Sequence, residues 1–181
     1  PSAAAQEPVE ASIGPSGLPS ETPEAFEAAT DSFDHTRREV MVPMRDGGRL
    51  CTVILVPEGA AGAPILLTRT PYDAHELTSH ASSSHLGPAL RGYDNVADVI
   101  VDGGYIRVVQ DVRGKHRSEG DYVMNRPLRG PWNSTATDHA TDTYDTIDWL
   151  ICNTPECNGK VGILGTSYNG FLALMGLVDP H

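Results

Sequence analysis

Long apolar runs are absent from this chain of 181 residues. No stretch of 18 apolar residues occurs, so no segment is expected to span a membrane. Clustered basic charge is absent as well. The 13 lysines and arginines face 24 acids, and a net charge of −11 excludes nucleic acid as a partner, because phosphate binding needs grouped cations. Cysteine is scarce: the three are Cys51, Cys152 and Cys157, with no CxxC pair, which argues against zinc-ribbon and thioredoxin-type sites. Cys152 and Cys157 flank a short Asn-Thr-Pro-Glu loop and either bridge in an oxidising compartment or stay as two thiols, the simpler reading. Cys51 lies in an apolar run and reads as a small buried hydrophobe. His75, His80 and His85 recur every five residues, which is not the i, i+4 spacing of a helical metal pair. Neither a metal nor a cofactor is expected, and no internal repeat is visible.

Charge is unevenly placed. Residues 1–34 hold seven acids and no lysine or arginine, so the rest of the chain carries only −4. With five prolines and few large apolar residues, 1–35 reads as a disordered acidic tail or extended arm. The chain opens on Pro1, and Ala3-Ala4-Ala5 has the small-residue character of a signal-peptidase site. A periplasmic or secreted protein that has lost its signal peptide is expected, with both termini as cut ends.

From Arg37 the pattern becomes that of one folded domain over 36–181. Glu39–Pro43 and Leu50–Val56 read as two strands joined by a turn at Met44–Gly48, a hairpin. Pro64–Thr68 is a near-continuous apolar strand, as in a sheet covered on both faces. Residues 73–88 read as loop. Leu90, Tyr93, Ala97, Ile100 and Val101 fall at helical spacing, closed by Gly103-Gly104. Tyr105–Val112 is a further strand, and 113–137 a long polar loop. Asp138 is placed to cap a helix with an apolar face of Ala140, Tyr144, Ile147 and Ile151. A short strand over Lys160–Leu164 precedes a helix from Tyr168, on which Phe171, Leu174, Met175 and Val178 share one face. Strands alternating with helices imply an α/β fold with a mostly parallel sheet. Trp149 is expected to pack on the core and Trp132 on the long loop. Asn133-Ser134-Thr135 matches a glycosylation sequon by pattern only.

The sharpest signal is Gly165-Thr166-Ser167-Tyr168-Asn169-Gly170, set between the last strand and the last helix. That is the context of a nucleophile elbow, in which a serine is held on a tight, strained turn. Glycine lies two residues before Ser167 and three after it, where the strict G-x-S-x-G pattern has the second glycine at +2. The turn brings the backbone N–H of Tyr168 and the positive end of the helix close to the serine, and both suit an oxyanion.

Residues from about 36 to 181 resemble the α-amino-acid ester hydrolases, grouped with the cocaine esterases, glutaryl-cephalosporin acylases and X-Pro dipeptidyl-peptidases of the α/β-hydrolase fold. The resemblance is carried by Arg38-Glu39-Val40-Met41-Val42-Pro43-Met44-Arg45-Asp46-Gly47, Leu66-Leu67-Thr68-Arg69-Thr70-Pro71-Tyr72 and Gly103–Gly114, then by Asp142–Leu150, Asn158-Gly159 and the elbow. The family's second glycine at +3 accounts for the spacing of this elbow. The resemblance implies that Ser167 is the acyl-forming nucleophile, with the Tyr168 amide and the Tyr72 hydroxyl as oxyanion donors. It implies that Asp111 and Arg113 form a structural Asp-x-Arg-Gly turn. Gly48 departs from the family pattern at a position expected to touch nothing catalytic. The acid, the histidine and the carboxylates that hold an α-ammonium are expected downstream of His181, together with the family's cap and jelly-roll domain. His116 and His139 precede the serine, against the Ser, acid, His order of this fold, and His181 follows it too closely.

The expected fold is thus the N-terminal part of an α/β-hydrolase. The expected function is acyl transfer on esters or amides bearing a free α-amino group, β-lactam side-chain acyl groups included. The partner is then a small-molecule or peptide substrate, and a homo-oligomeric whole protein is compatible with it. Cocaine-esterase-like hydrolysis and X-Pro dipeptidyl-peptidase activity are the near alternatives. The rival of another class is a non-enzymatic truncated chain or binding module on a hydrolase fold. The 181 residues alone, without acid or base, are expected to be inactive.

Overall fold

The computed structural model describes residues 35–79 and 103–181. The tail over 1–35 (all but its last residue), the helix over 90–101, and His80 and His85 lie outside the described residues. Within them, strands β1 (His35–Pro43), β2 (Arg49–Pro57), β3 (Ala63–Thr70), β4 (Ile106–Asp111) and β5 (Cys157–Ile163) form one sheet in the order β1-β2-β4-β3-β5. β1 and β2 are the expected hairpin, with Val42 opposite Leu50, and β2 continues antiparallel to β4. β4, β3 and β5 are mutually parallel. Helices α1 (Ala74–Leu77), α2 (His139–Asn153) and α3 (Tyr168–Met175) complete the described chain.

The apolar runs of β2, β3 and β4 show little alternation because both faces of these strands are covered. On one face Ile54, Val56, Ile65, Leu67, Ile106 and Val108 pack against Ile147 and Leu150 of α2. On the other, Val53, Leu55 and Val109 meet Ala74 of α1 and Leu77. Each such fully buried side chain contributes about 1.5–3 kcal/mol. Cys51 is buried here as expected, and all three cysteines are free thiols. Trp149 packs against the main core and the Val42–Leu50 cluster.

Several expectations need correction. Residues 74–77 are helical where loop was expected, because Asp73 accepts from the backbone N–H groups of His75 and Glu76 and nucleates a turn of helix. Trp132 is 88% exposed, out on the long loop and unpacked against it. The Asn133 amide is buried and donates to the carbonyls of Pro127 and Thr137, so the sequon nitrogen is committed internally. Asp138 does cap α2, through a reciprocal box with Thr141; such caps contribute about 1 kcal/mol. The buried face of that helix, however, is turned from the one expected. Tyr144 and Ile151 are only half-buried, whereas His139, Asp142, Thr143 and Thr146 are buried.

The reason is a polar row on the sheet beneath α2. Thr52, Gln110 and Arg69 lie side by side on β2, β4 and β3. Gln110 donates to Thr52 Oγ1 (3.0 Å) and accepts from Arg69 Nε (2.9 Å) and from Thr146 Oγ1 (3.0 Å). Arg69, 1% exposed, also donates to the His139 carbonyl (2.8 Å) and to Thr143 Oγ1 (3.0 Å). Its charge is met by Asp142 at 3.5 Å, which takes a two-point contact from Arg113 at 2.8 and 3.2 Å. Arg113 in turn pairs with Asp46 (2.9 Å) in the β1–β2 turn. Charges thus alternate along Asp46, Arg113, Asp142 and Arg69. Arg113 runs between two glycines: a Cβ on Gly48 would lie 2.9 Å from its Nη1, and one on Gly120 would lie 2.9 Å from its Cγ. Gly48, expected to touch nothing catalytic, thus leaves room, together with Gly120, for this ion pair.

Removing one member of a buried charge set strands the others. Asp142→Ala should lower stability by about 3–5 kcal/mol in urea unfolding, because two buried guanidinium groups lose their shared counter-ion. Glu119→Gln, at the exposed Arg49–Glu119 pair, should leave the urea midpoint nearly unchanged. Equal effects of the two would contradict this account of the core.

Candidate active site

Because β3, β4 and β5 are parallel, their carboxyl ends share one edge of the sheet. Thr70 lies opposite Asp111, and Leu67 opposite Ile163. Beyond β5 the backbone N–H of Leu164 donates to the Leu67 carbonyl (3.0 Å), and its own carbonyl accepts from Thr68 Oγ1 (3.0 Å). The chain is thereby stapled to β3 up to the residue before the elbow.

At the elbow Ser167 has φ 57° and ψ −123°. A non-glycine residue in this region carries about 1–3 kcal/mol of backbone strain and needs its surroundings to hold it there. Gly165 supplies the room: a Cβ on it would lie 2.3 Å from the backbone C and O of Asn169. Gly170, three residues after the serine, closes the same contact, with the Gly165 carbonyl 3.1 Å from where its Cβ would be. Both glycines of the unusual spacing are thus explained by one close approach of strand to helix. Ser167 is the N-cap of α3 and its carbonyl accepts from the Phe171 N–H (3.0 Å), yet its side chain makes no capping bond. The hydroxyl is exposed and uncommitted. Tyr168, first in α3, has a backbone N–H that no intrahelical carbonyl can accept. That donor and the helix's positive end lie beside the serine, where negative charge is favoured.

Tyr72 reaches the same edge in the turn after β3, and nearly every residue of that turn is tied down. The Thr70 carbonyl accepts from Val112 N–H (2.9 Å), and Thr70 Oγ1 accepts from Tyr72 N–H (3.1 Å). Asp111 Oδ1 accepts from Ala74 N–H (2.8 Å). Asp73, with φ 68°, caps α1. The Tyr72 side chain itself is 57% exposed. Asp111 and Arg113 therefore serve as expected, in buried hydrogen bonding beside the site. Burial pushes the Asp111 carboxyl up to about 6, and its Oδ2 has no partner.

One participant was not foreseen. The 113–137 loop doubles back so tightly that a Cβ on Gly114 would lie 2.1 Å from Tyr122 N. This delivers Tyr122, with Lys115 over its ring at 4.3 Å, to the elbow. Burial first, then hydrogen bonding to the Tyr168 phenol, with Tyr72 close enough to add an electrostatic push, raise the Tyr122 phenol to about 12. The Tyr168 hydroxyl also accepts from Asn125 N–H (3.1 Å). Tyr72 and Tyr168 thus lie within electrostatic reach of Tyr122, and the closely spaced Gly114 and Gly120 were the sequence signal of the doubling back.

His139, His181, His75 and His116 are engaged elsewhere than at the serine. His139 is buried under α3, edge-on to Phe171 (5.9 Å), with neither ring nitrogen bonded; burial and then the Arg69 charge push it down to about 4. His181 pairs with Asp148 (3.3 Å), His75 contacts Glu39 (3.0 Å), and His116 contacts Pro71 and Asp73.

A strained serine between a parallel strand and a helix, at the carboxyl edge of a mixed sheet, is the architecture of an α/β-hydrolase. The chain belongs to the X-Pro dipeptidyl-peptidase (S15) family, whose model matches residues 46–181. It is 34% identical over 131 residues to the cocaine esterase of Rhodococcus sp. (strain MB1 Bresler), a match covering 72% of this chain and 19% of the esterase. An α-amino acid ester hydrolase structure superposes with a TM-score of 0.74 at 57% identity, over 89% of this chain and 26% of that one. An aminopeptidase from a marine sediment archaeon, Thaumarchaeota archaeon, gives 0.74 at 52% identity, over 91% and 26%. The Pyrococcus furiosus esterase Pf2001, at 15% identity and 0.55, shares the fold alone. The chain therefore spans about a fifth to a quarter of the cocaine esterase, the ester hydrolase and the aminopeptidase.

If the glycine contact holds the elbow, Gly165→Ala should destabilise the chain beyond Gly59→Ala, where the added Cβ meets nothing within 4 Å and costs only the strain of a side chain at φ 74°. Thermal or urea unfolding of the two variants decides; equal losses would mean that the close contact at the elbow costs no more than left-handed strain in an open turn.

Proposed function

We propose that a protein carrying this chain is a serine hydrolase that transfers acyl groups through Ser167. The observation that carries this reading is the serine itself: strained at φ 57°, exposed, and with a hydroxyl not used to cap its own helix. Ser167 Oγ attacks the carbonyl carbon of an ester or amide, and the carbonyl π pair moves onto oxygen. The Tyr168 N–H and the Tyr72 phenol donate to that oxyanion. The pair then returns, expelling the alcohol or amine, and water or another amine takes the acyl group from the serine. The proton of Ser167 goes to a base in the part of the protein that the relatives have and this chain does not span, and that group then gives it to the departing alcohol or amine. His139, buried beneath α3, and His116, engaged with the turn before α1, do not serve.

The substrate we favour is an ester or amide whose acyl part bears a free α-amino group, β-lactam side-chain acyl groups included. Two relatives above 50% identity are an α-amino acid ester hydrolase and an aminopeptidase, and both names describe substrates of that kind. An X-Pro peptide with a free N-terminus meets the same requirement. Cocaine-type ester hydrolysis does not need it, and that relative is more distant, at 34%.

Two substitutions in the whole protein test the assignment. Ser167→Ala should cost on the order of 10⁶ in turnover of an activated amino-acid ester; retention of most activity would refute it. Tyr72→Phe keeps the ring and removes one donor. It should lower kcat by roughly 10²–10³ with a smaller change in KM, since the oxyanion exists only after attack. A near-normal kcat would remove Tyr72 from the site.

A further inference from the structure

We infer that His116 is a positioning residue, the clamp that holds the Pro71–Asp73 turn and so fixes where the Tyr72 phenol is presented. This rests on the reading of Tyr72 as an oxyanion donor. The observations are geometric. His116 Nε2 lies 3.0 Å from the carbonyl oxygen of Pro71, and Nδ1 lies 3.4 Å from Asp73 Oδ2. One imidazole thus touches the residue on each side of Tyr72. A carbonyl oxygen only accepts, so Nε2 carries the proton and donates. Both contacts are donations only in the imidazolium form, with an N–H on each ring nitrogen.

The clamp has a rigid base. His116 sits on a tight turn directly after β4, with Lys115 N–H donating to the Val112 carbonyl (3.1 Å) and Ser118 N–H to that of Lys115 (2.8 Å). Ser118 Oγ donates to the Asp111 carbonyl (2.7 Å). His116 itself has φ 47°, a left-handed conformation that the turn imposes. The clamped partner is a segment that needs holding. Asp73 is strained at φ 68°, and Tyr72 is 57% exposed, so the phenol gains little fixation from packing. The hydrogen bonds at Thr70 and Ala74 anchor the turn's ends to β4 and Asp111. The carbonyl of Pro71 and the outer carboxylate oxygen of Asp73, next to Tyr72 itself, are left to His116.

The contribution of such a residue appears in turnover. A catalytic donor displaced by about 1 Å loses on the order of 10²-fold in rate, and the loss vanishes when the donor is already gone. His116→Asn tolerates the positive φ and is too short to reach both acceptors. In the whole enzyme it should lower kcat roughly 10- to 100-fold with KM little changed. Combined with Tyr72→Phe, it should lower kcat no further than Tyr72→Phe alone. If the asparagine variant does not accumulate as folded protein, His116→Gly, free of strain at that φ, carries the same cycle. A kcat unchanged by the substitution would overturn the clamp. So would losses that multiply in the double variant, which would make His116 a structural residue acting independently of Tyr72. A near-normal kcat in Tyr72→Phe alone would instead strike down the donor assignment, and the clamp with it.

Discussion

The arrangement depends above all on a chain of alternating charge, buried except at its Asp46 end. Asp46, Arg113, Asp142 and Arg69 come from the hairpin turn, the end of β4, α2 and β3. Burying guanidinium groups is costly unless each meets a carboxylate and its remaining N–H groups find acceptors. Meeting that demand sets the geometry. Arg69 takes the His139 carbonyl and the Thr143 hydroxyl, so the first turn of α2 is drawn down onto β3. His139, carried along, turns its ring edge to Phe171 on the helix that begins at the elbow. The charge set thus reaches the serine through two helices without touching it.

The second constraint is directional. Three parallel strands end at one edge, and each contributes a different part: β3 the turn bearing Tyr72, β4 the Asp111 and His116 supports, β5 the elbow. An antiparallel neighbour would send its next residues to the opposite edge, which is what happens at β2, whose chain leads away from the site. Ligands in such sheets meet the carboxyl ends of parallel strands for this reason. Tyr122 is added by neither strand nor helix, but by a loop folded tightly over Gly114.

Much of this was legible in the residues. The hairpin, the strand before Tyr72, the capped helix at Asp138 and the elbow follow from patterns that act locally: alternation, a cap residue, two glycines around a serine. Legibility failed where a side chain's fate depends on distant partners. The face of α2 was misplaced because its buried polar residues look like surface until Arg69 and Gln110 are known to lie beneath them. Trp132 was placed against the loop, yet it stands 88% exposed. The role of Gly48 required knowing that Arg113 crosses it. Tyr122 needed the fold of a long loop, which no periodicity describes. That the turn bearing Tyr72 and the elbow lie at one edge was reachable because parallel strands share their carboxyl ends, whatever the separation in sequence; the role of Tyr72 came from the family resemblance.

The central claim is that the strained, uncommitted hydroxyl at the elbow is the group that becomes acylated. The most direct measurement traps that bond. The whole protein is treated with a fluorophosphonate, digested, and the modified peptide sequenced by mass spectrometry. The account predicts one stoichiometric adduct, on Ser167, in the peptide containing Gly165-Thr166-Ser167-Tyr168. An adduct on another serine, or labelling that persists at full stoichiometry after Ser167→Ala, would contradict it.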